Sequence, residues 1–404
     1  MSGAFEAVKV SDHVYWVGAI DWALRDFHGY ATSRGTTYNA YLILSDPVVL
    51  VDTVKAAFKD EMLARIASLV DPGSIRWIIS NHAEMDHSSA LPEVVARVRP
   101  EKVLASAQGR DALARHFHWD QPVEVVADGQ ELEVGGVHLR FIETPMLHWP
   151  DSMFTLLVED GVLFSNDAFG MHLAGSARFI DQVPPELWRA EAAKYYANIL
   201  MPLSPVVAKL LARAAELKLS PRVIAPDHGP IFRRHPENIV RLYAQWSRQE
   251  PQRKAVVVHG TMWQSTARMA WAIGEGLAAG GMEVCQMPLG AAHRSDVATE
   301  LLEAGALIVG SPTINNQIFP TVADVLTYLK GLRPKNLLGA AFGSYGWSGQ
   351  AVGLIEAQLR EMKIDLAGEG LRLQYVPDDE GLSRCRALGE RVAAAVVERL
   401  GGQA

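Results

Sequence analysis

The chain has 404 residues, of which 49% are hydrophobic and 21% charged, so it can form two domains with sizeable cores and is neither a disordered tail nor a disulfide-stapled miniprotein. It contains 38 Lys and Arg residues and 46 Asp and Glu residues, and the resulting formal charge of −8 argues against a nucleic-acid partner. Two cysteines are too few for a four-cysteine metal site and suit a reducing compartment. With no recognisable signal peptide or membrane span, we expect a cytoplasmic protein without a membrane partner.

The sequence up to residue 250 predicts a β-rich layered domain with helices outside. Its strand patterns are short and rich in β-branched and aromatic residues, and they cover residues 13–20, 36–45, 48–54, 75–80, 102–107, 123–127, 138–145, 153–159, 161–167 and 222–230. Its helical patterns cover residues 59–70, 89–98 and 185–219, the last interrupted by prolines.

A polar segment at 247–254 contains a proline and predicts a linker, so we assign the two domains to residues 1–250 and 251–404. In the second domain, five apolar runs alternate with helical patterns, and a last helix runs roughly from Gly381 to Leu400. Such alternation is typical of right-handed crossovers and a parallel sheet. The second domain is therefore predicted to be α/β, with a doubly wound, flavodoxin-like sheet of five parallel strands.

The loop after the predicted strand 75–80 concentrates potential metal ligands, namely His82, Glu84, Asp86 and His87. Unpaired charges at this density would cost several kcal/mol each if buried, so a purely structural role is improbable. Three further candidates, His148, Asp167 and His228, each follow a predicted strand. Strand ends converge on one rim of a layered domain, and we expect all seven side chains to meet there.

These seven side chains divide into two metal sites if Asp167 bridges them. One site takes His82, Glu84, His148 and Asp167, and the other takes Asp86, His87, His228 and Asp167. Two histidines with a carboxylate are typical of non-haem iron, whereas catalytic zinc prefers sets richer in histidine. We therefore favour a pair of irons with positions left for a bridging oxo or hydroxo group and a substrate.

The pattern His-x-Glu-x-Asp-His, followed by isolated His, Asp and His, resembles that of the metallo-β-lactamase fold. Its Glu84 form, joined to a flavodoxin-like domain, resembles the flavodiiron proteins (A-type flavoproteins) over nearly the whole chain. The resemblance implies an N-terminal αββα sandwich, two irons per chain, FMN, and reduction of O₂ to water, of NO to N₂O, or of both. It also implies that His28 and Tyr195 line the substrate side of the metal pocket and donate hydrogen bonds or protons.

Three loops at the carboxyl ends of predicted strands are candidates for binding the FMN that the resemblance implies. The first opens a helix with hydroxyl groups that suit a phosphate. The candidate residues are Thr261, Met262, Trp263, Gln264, Ser265 and Thr266 in the first loop, Pro312, Thr313, Ile314, Asn315 and Asn316 in the second, and Ser344, Tyr345, Gly346, Trp347, Ser348 and Gly349 in the third. We find no GxGxxG fingerprint for FAD or NAD.

The sequence has no four-cysteine rubredoxin segment, so we expect an external electron donor: a rubredoxin, a ferredoxin or a flavin reductase. The resemblance implies a head-to-tail homodimer, or a dimer of such dimers, that sets one subunit's FMN beside the other's irons. Two other interpretations stay open: a dinuclear zinc hydrolase with a flavodoxin-like accessory domain, and an electron carrier with a vestigial metal domain. Nothing in the sequence ranks O₂ against NO.

Overall fold

A computed structural model describes residues 4–401 and divides the chain into two compact units. The N-terminal unit comprises the chain up to His28, residues 32–195 and residues 205–244. The C-terminal unit comprises residues 29–31 and 196–204 together with the chain from Gln245 onward. The domain boundary predicted at residue 250 stays a prediction.

The first sixteen strands are short. In chain order they are β1 (Val8–Lys9), β2 (Val14–Trp16), β3 (Ala19–Asp21), β4 (Asp26–Phe27), β5 (Tyr30–Ala31), β6 (Thr36–Tyr38), β7 (Tyr41–Ile43), β8 (Val48–Val51), β9 (Ile75–Ser80), β10 (Lys102–Ala105), β11 (Glu124–Val125), β12 (Glu131–Val134), β13 (Val137–Glu143), β14 (Met153–Leu157), β15 (Val162–Phe164) and β16 (Val223–Ala225). Among them are a seven-stranded sheet of order β1-β2-β7-β8-β9-β10-β11, a five-stranded sheet of order β12-β13-β14-β15-β16, and the two-stranded pair β3-β6.

Seven α-helices accompany these strands. They are α1 (Lys59–Ala67), α2 (Met85–Ser88), α3 (Leu91–Val98), α4 (Ala107–Phe117), α5 (Pro185–Tyr195), α6 (Ser204–Glu216) and α7 (Glu237–Arg248). Residues Tyr196–Leu200, directly after α5, form a π-helical turn.

The apolar residues of the seven-stranded sheet alternate between two cores, as the period of two in a strand requires. In β7, Tyr41 and Ile43 join a core shared with Phe141 of the five-stranded sheet. Leu42, between them, belongs to a second core with residues of the helices, such as Leu63 of α1. The two sheets therefore pack face to face, and helices cover the outer face of the first.

Two predicted strands are each split into two strands that belong to different sheets. The pattern at 13–20 becomes β2 and β3, and the pattern at 36–45 becomes β6 and β7. The chain crosses between sheets at Gly18, where a Cβ would lie 2.3 Å from the carbonyl oxygen of Tyr38. Only glycine fits such a close backbone approach.

Helix α4 is not among the predicted elements. Ser106 caps it by accepting a hydrogen bond of 3.0 Å from the backbone N–H of Gly109. Within the helix only Gly109 and Leu113 are buried. A helix that buries so few residues lacks the apolar stripe by which sequence patterns reveal helices.

The C-terminal unit contains the predicted alternation of strands and helices. Its strands are β17 (Lys254–His259), β18 (Glu283–Pro288), β19 (Ala306–Gly310), β20 (Thr313–Ile314), β21 (Gln317–Ile318), β22 (Leu338–Tyr345), β23 (Asp365–Leu366) and β24 (Leu371–Gln374). Its helices are α8 (Ser265–Ala279), α9 (Arg294–Leu301), α10 (Pro320–Leu332), α11 (Gln350–Glu361) and α12 (Asp379–Gly401).

The main sheet of this unit is parallel and has the order β18-β17-β19-β22, after which β23 and β24 both pair with β22. The fifth place of the predicted sheet is thus shared by two short strands. The strand order reverses beside β17, and in such sheets ligands bind beyond the carboxyl ends of the strands at this point. Among the described helices, none combines the length and apolarity needed to cross a membrane.

Candidate metal centre and cofactor cavity

The structure brings all seven predicted metal ligands together at one end of the facing sheets. His82 and Glu84 follow β9, and Asp86 and His87 lie in the single turn of α2 that comes next. The other three ligands, His148, Asp167 and His228, lie in the loops after β13, β15 and β16. Strand ends therefore position the cluster, as the sequence predicts.

Four of these residues form a first group: the ligand atoms of His82, Glu84, His148 and Asp167 all lie within 4.8 Å of one another. His148 Nε2 is 3.1 Å from Glu84 Oε2 and 3.0 Å from Asp167 Oδ2. His82 Nε2 is 3.3 Å from the same two oxygens. We call this set the first metal group.

The second metal group consists of Asp86, His87 and His228, whose ligand atoms also lie within 4.8 Å of one another. His228 Nε2 is 3.2 Å from Asp86 Oδ2, and His87 Nε2 is 3.4 Å from Asp86 Oδ1. Asp167 Oδ1 is 3.2 Å from His87 Nε2 and 3.4 Å from His228 Nε2. Asp167 thus turns one carboxylate oxygen toward each group.

The atoms of this cluster fit metal ions. Within residues 4–401, the geometry of these close contacts leaves both carboxylate oxygens of Asp86 and both ring nitrogens of His87 without a hydrogen bond, although all four atoms are buried. Buried polar atoms in proteins nearly always have partners, so these atoms call for a group outside the chain. Imidazole and carboxylate donors in this number are the ligands of zinc or non-haem iron.

The charges of the cluster compensate one another in the metal-free chain. Burial alone lowers the pKa of His148, but hydrogen bonds to Asp167 and Glu84 raise that pKa to about 9. Burial raises the pKa of Asp167, but the neighbouring histidines hold it well below the usual range. Protonated imidazoles therefore supply the positive charge that metal ions would supply in the loaded protein.

Two of the ligating rings have an aspartate on their far side that the sequence analysis did not select. His82 Nδ1 is 3.0 Å from Asp151 Oδ2, and His87 Nδ1 is 3.7 Å from Asp227 Oδ2. The two aspartates had a visible signal: Asp151 comes three residues after His148, and Asp227 directly precedes His228. A ligating histidine commonly donates its other N–H to such a carboxylate, and the distance at His82 suits this hydrogen bond, whereas the distance at His87 is too long for one.

The two predicted pocket residues lie near the cluster in different environments. His28 Nε2 is 3.3 Å from Glu84 Oε1, and its side chain is 75% exposed. Tyr195 is buried, and its ring centroid is 6.2 Å from that of His228. Burial, with the nearby negative charge of Asp167, raises the pKa of Tyr195 well above its usual value, so its phenol stays protonated.

His172 is a neighbour of the cluster that no ligand spacing in the sequence singles out. Its ring centroid is 4.7 Å from that of His228 and 5.2 Å from that of Tyr195. Its Nδ1 is 2.9 Å from the hydroxyl oxygen of Thr36. Burial, reinforced by the charge of His228, lowers the pKa of His172 well below its usual value, and the ring is neutral.

The C-terminal unit has a cavity of about 700 Å³ where the predicted flavin loops meet. The predicted residues that line it are Thr261, Met262, Trp263, Ser265, Pro312, Thr313, Asn315, Asn316, Ser344, Tyr345, Gly346, Trp347 and Ser348. The predicted residues outside its lining are Gln264, Thr266, Ile314 and Gly349. Two lining residues were not predicted, Tyr375 and Val376, and they follow β24 at the same edge of the sheet.

The lining suits a flat aromatic ring that carries a phosphate. Trp263 and Trp347 are each 89% exposed at the cavity, which leaves their faces available for stacking. Thr261 precedes α8, and in the described chain its buried hydroxyl has no hydrogen-bond partner. A hydroxyl beside the N-terminus of a long helix is suited to a phosphate.

Comparisons with known proteins cover both units. Residues 36–229 match the family model "ODP family beta lactamase", and residues 257–389 match "Flavodoxin". The chain is 46% identical to a nitric oxide reductase of Moorella thermoacetica, over 97% of this chain and 100% of that protein. A rubredoxin–oxygen oxidoreductase structure from Desulfovibrio gigas matches with a TM-score of 0.96 and 41% identity, over 98% of this chain and 100% of that one. The flavodiiron protein of Giardia intestinalis matches with a TM-score of 0.95 and 33% identity, over 98% of each chain.

This chain belongs to the flavodiiron protein family. The predicted family is therefore confirmed, as is the predicted fold class, an N-terminal β-lactamase-like domain joined to a flavodoxin-like domain with a parallel sheet. The flavodoxin domain of this flavodiiron protein implies FMN, and the flavodiiron structures imply a diiron site. The individual ligands stay predictions.

Proposed function

We propose that this flavodiiron protein is an oxidoreductase that reduces O₂ to water, NO to N₂O, or both. The observation that carries the proposal is the position of Asp167, whose two oxygens face two separate groups of nitrogen and carboxylate ligands. Similar proteins support it by name: one is a nitric oxide reductase and another a rubredoxin–oxygen oxidoreductase.

The first metal group would hold one iron and the second metal group the other, with Asp167 and an oxo or hydroxo group between them. FMN would occupy the 700 Å³ cavity, with its phosphate at Thr261 and its ring against Trp263 or Trp347. When bound, the iron pair and FMN supply electrons, of which O₂ requires four to become two waters and two NO require two to become N₂O.

The residues around the cluster would control hydrogen bonds and protons at the substrate. His28 is exposed yet its Nε2 lies 3.3 Å from Glu84 Oε1, so its imidazole would offer a hydrogen-bonding nitrogen to a substrate in the pocket. Tyr195 keeps its phenolic proton because it is buried near negative charge, and it would serve as a fixed hydrogen-bond donor. Both residues would therefore act as hydrogen-bond donors, His28 from the exposed side of the pocket and Tyr195 from its buried side.

An external donor would reduce the flavin. A rubredoxin is favoured by the name of the rubredoxin–oxygen oxidoreductase of Megalodesulfovibrio gigas. A relative from Methanothermobacter marburgensis is instead named a coenzyme F420H₂ oxidase, so the donor differs among similar proteins, and a ferredoxin or a flavin reductase stays an alternative here. We further propose a head-to-tail homodimer, or a dimer of dimers, in the cytoplasm. A strictly monomeric enzyme with full activity would contradict that assembly.

Anaerobic turnover of the reduced, iron-loaded protein tests the proposal. The protein is mixed with O₂ and with NO in separate experiments, and flavin reoxidation and the products, water or N₂O, are measured. We expect rapid reoxidation by at least one gas. A protein that reoxidises with neither gas and hydrolyses esters or amides with two zinc ions bound would instead be the zinc hydrolase.

A further inference from the structure

Asp151 is a buried carboxylate that joins a metal-ligating ring to the loop that carries it. Its Oδ2 is 3.0 Å from His82 Nδ1 and accepts a hydrogen bond of 2.6 Å from the backbone N–H of Ala83. Its backbone carbonyl accepts a hydrogen bond of 2.8 Å from the hydroxyl of Ser106, the cap of α4. Asp151 is only 3% exposed, so these contacts hold the carboxylate in one orientation.

The second oxygen of this carboxylate is buried and, among residues 4–401, has no hydrogen-bond partner. Asp151 also lines a cavity of about 440 Å³, which we call the Trp149 cavity. Gln108, Arg115 and His116 line the same cavity. The ring centroid of Trp149 itself is 5.3 Å from that of His82. A buried carboxylate oxygen without a donor is costly, so the burial of Asp151 calls for a function of its other oxygen, the one that faces His82.

The corresponding aspartate of the second metal group has a different setting. Asp227 is fully buried, lies 3.7 Å from His87 Nδ1, and is not among the residues that line the Trp149 cavity. The structure thus gives the first metal group the closer carboxylate partner, beside a cavity. This difference predicts that the two metals respond differently to changes near Trp149.

We propose that Asp151 is a positioning residue that orients His82 toward the metal of the first group. The inference rests on the proposed function for the identity of the metal. A carboxylate that accepts the Nδ1 proton fixes Nε2 as the atom facing the metal and makes it a stronger donor. Loss of such a partner typically costs 10–100-fold in metal affinity.

The test uses the full-length protein with ⁵⁷Fe. Asp151→Ala and Asp151→Asn are compared with wild type by iron titration and by Mössbauer spectroscopy, which distinguishes the two irons. We expect Asp151→Ala to lower the affinity for one iron by about 10–100-fold and to change the Mössbauer signal of that iron. The affinity and the signal of the other iron should stay as in wild type. Asp151→Asn, which retains one acceptor oxygen, recovers part of the loss.

Asp160→Ala is the matched control. Asp160 is also buried and accepts from a histidine ring at 2.7 Å, that of His13, and from the backbone N–H of the same residue, but His13 is not in either metal group. We expect wild-type iron affinities and spectra for this variant. If Asp160→Ala lowers the affinity for the same iron as Asp151→Ala does, the effect is a general loss of stability and the inference is wrong.

If wild type binds zinc and no iron, the proposed function fails, but zinc titration of the same variants still tests Asp151.

Discussion

The two candidate sites of this protein are built in opposite ways. The metal cluster consists of charged side chains that are almost all buried, and each of them lies beside a charge of opposite sign. The flavin cavity is open and lined by hydroxyl, amide and aromatic groups, with Trp263 and Trp347 largely exposed. The members of the metal cluster depend on one another for charge compensation. In the flavin cavity, by contrast, each residue contributes separately to the binding of the cofactor.

This difference predicts how the sites respond to single substitutions. Removing one member of a buried charge network leaves its partners unpaired, and the loss exceeds the value of any single contact. Removing one residue from an open cavity costs only its own contact, because water reaches the others. Substitutions should therefore be severe in the cluster and graded in the cavity.

The largest effect is expected for Asp167→Ala. Both metal groups lose their shared carboxylate, so we expect both irons to be lost and gas reduction to fall by at least roughly 1,000-fold. Iron analysis and turnover with O₂ and NO measure the result. Asp128→Ala, which removes a surface ion pair with Arg213, is the control and should change stability by about 1 kcal/mol or less.

A variant of Asp167 that keeps both irons and normal turnover would remove the basis for a bridged centre. It would favour the alternative in which the metal domain is a vestigial support for an electron carrier. Loss of only one iron would show that the two groups are independent, contrary to the network described above.

A smaller effect, of pH on stability, is expected at His259 in the C-terminal unit. Burial lowers the pKa of this histidine from 6.5 to about 4, so between these values the unfolded chain binds more protons than the folded one. Stability contributed by the neutral ring is present above about pH 6.5 and is lost as the pH falls toward 4. At pH 5 the loss amounts to about 2 kcal/mol.

His259→Leu tests this expectation. The free energy of unfolding of the C-terminal unit, from denaturant titrations followed by its own spectroscopic probe, is compared at pH 7.5 and pH 5 for both proteins. Wild type should lose about 2 kcal/mol more than the variant over this interval. Equal losses would mean that the folded protein protonates His259 as readily as the unfolded chain does.

The smallest effect is expected at the flavin cavity. Thr261→Val removes a hydroxyl that is buried beside the start of α8, and we expect FMN affinity to fall by about tenfold, or 1.4 kcal/mol. Quenching of flavin fluorescence on titration measures the affinity. Thr321→Val, outside the cavity lining, should bind FMN like wild type. A loss of 1,000-fold or more would contradict the graded behaviour expected of an open site.

The same contrast explains how far each site was predictable from the sequence. Four potential metal ligands fall within six positions of the chain: His82, Glu84, Asp86 and His87. Such a density of charged and ligating side chains is unusual, and it can be seen in the sequence alone. Asp151 and Asp227 lie close to His148 and His228 in the sequence, but the rings that they face are those of His82 and His87, so their positions along the chain did not reveal their partners. Their role depends on which ring they face, and only the folded chain shows that.

In the C-terminal unit the loops could be located but not their individual contributions. Thr266 was predicted in the phosphate loop, yet its hydroxyl is buried 2.8 Å from that of Ser344, outside the lining of the cavity. Tyr375 was missed although it directly follows β24, at the edge where the other loops meet. Applying the rule of strand ends to every strand would have identified it.

The central claim is that two ligand groups sharing Asp167 hold a pair of irons that a bound flavin supplies with electrons. Purification with native metals, followed by analysis of iron, zinc and FMN per chain, tests it most directly. The account predicts a yellow protein with one FMN and two irons, one for each group. A colourless protein, or one that binds flavin but holds zinc and no iron, would contradict it.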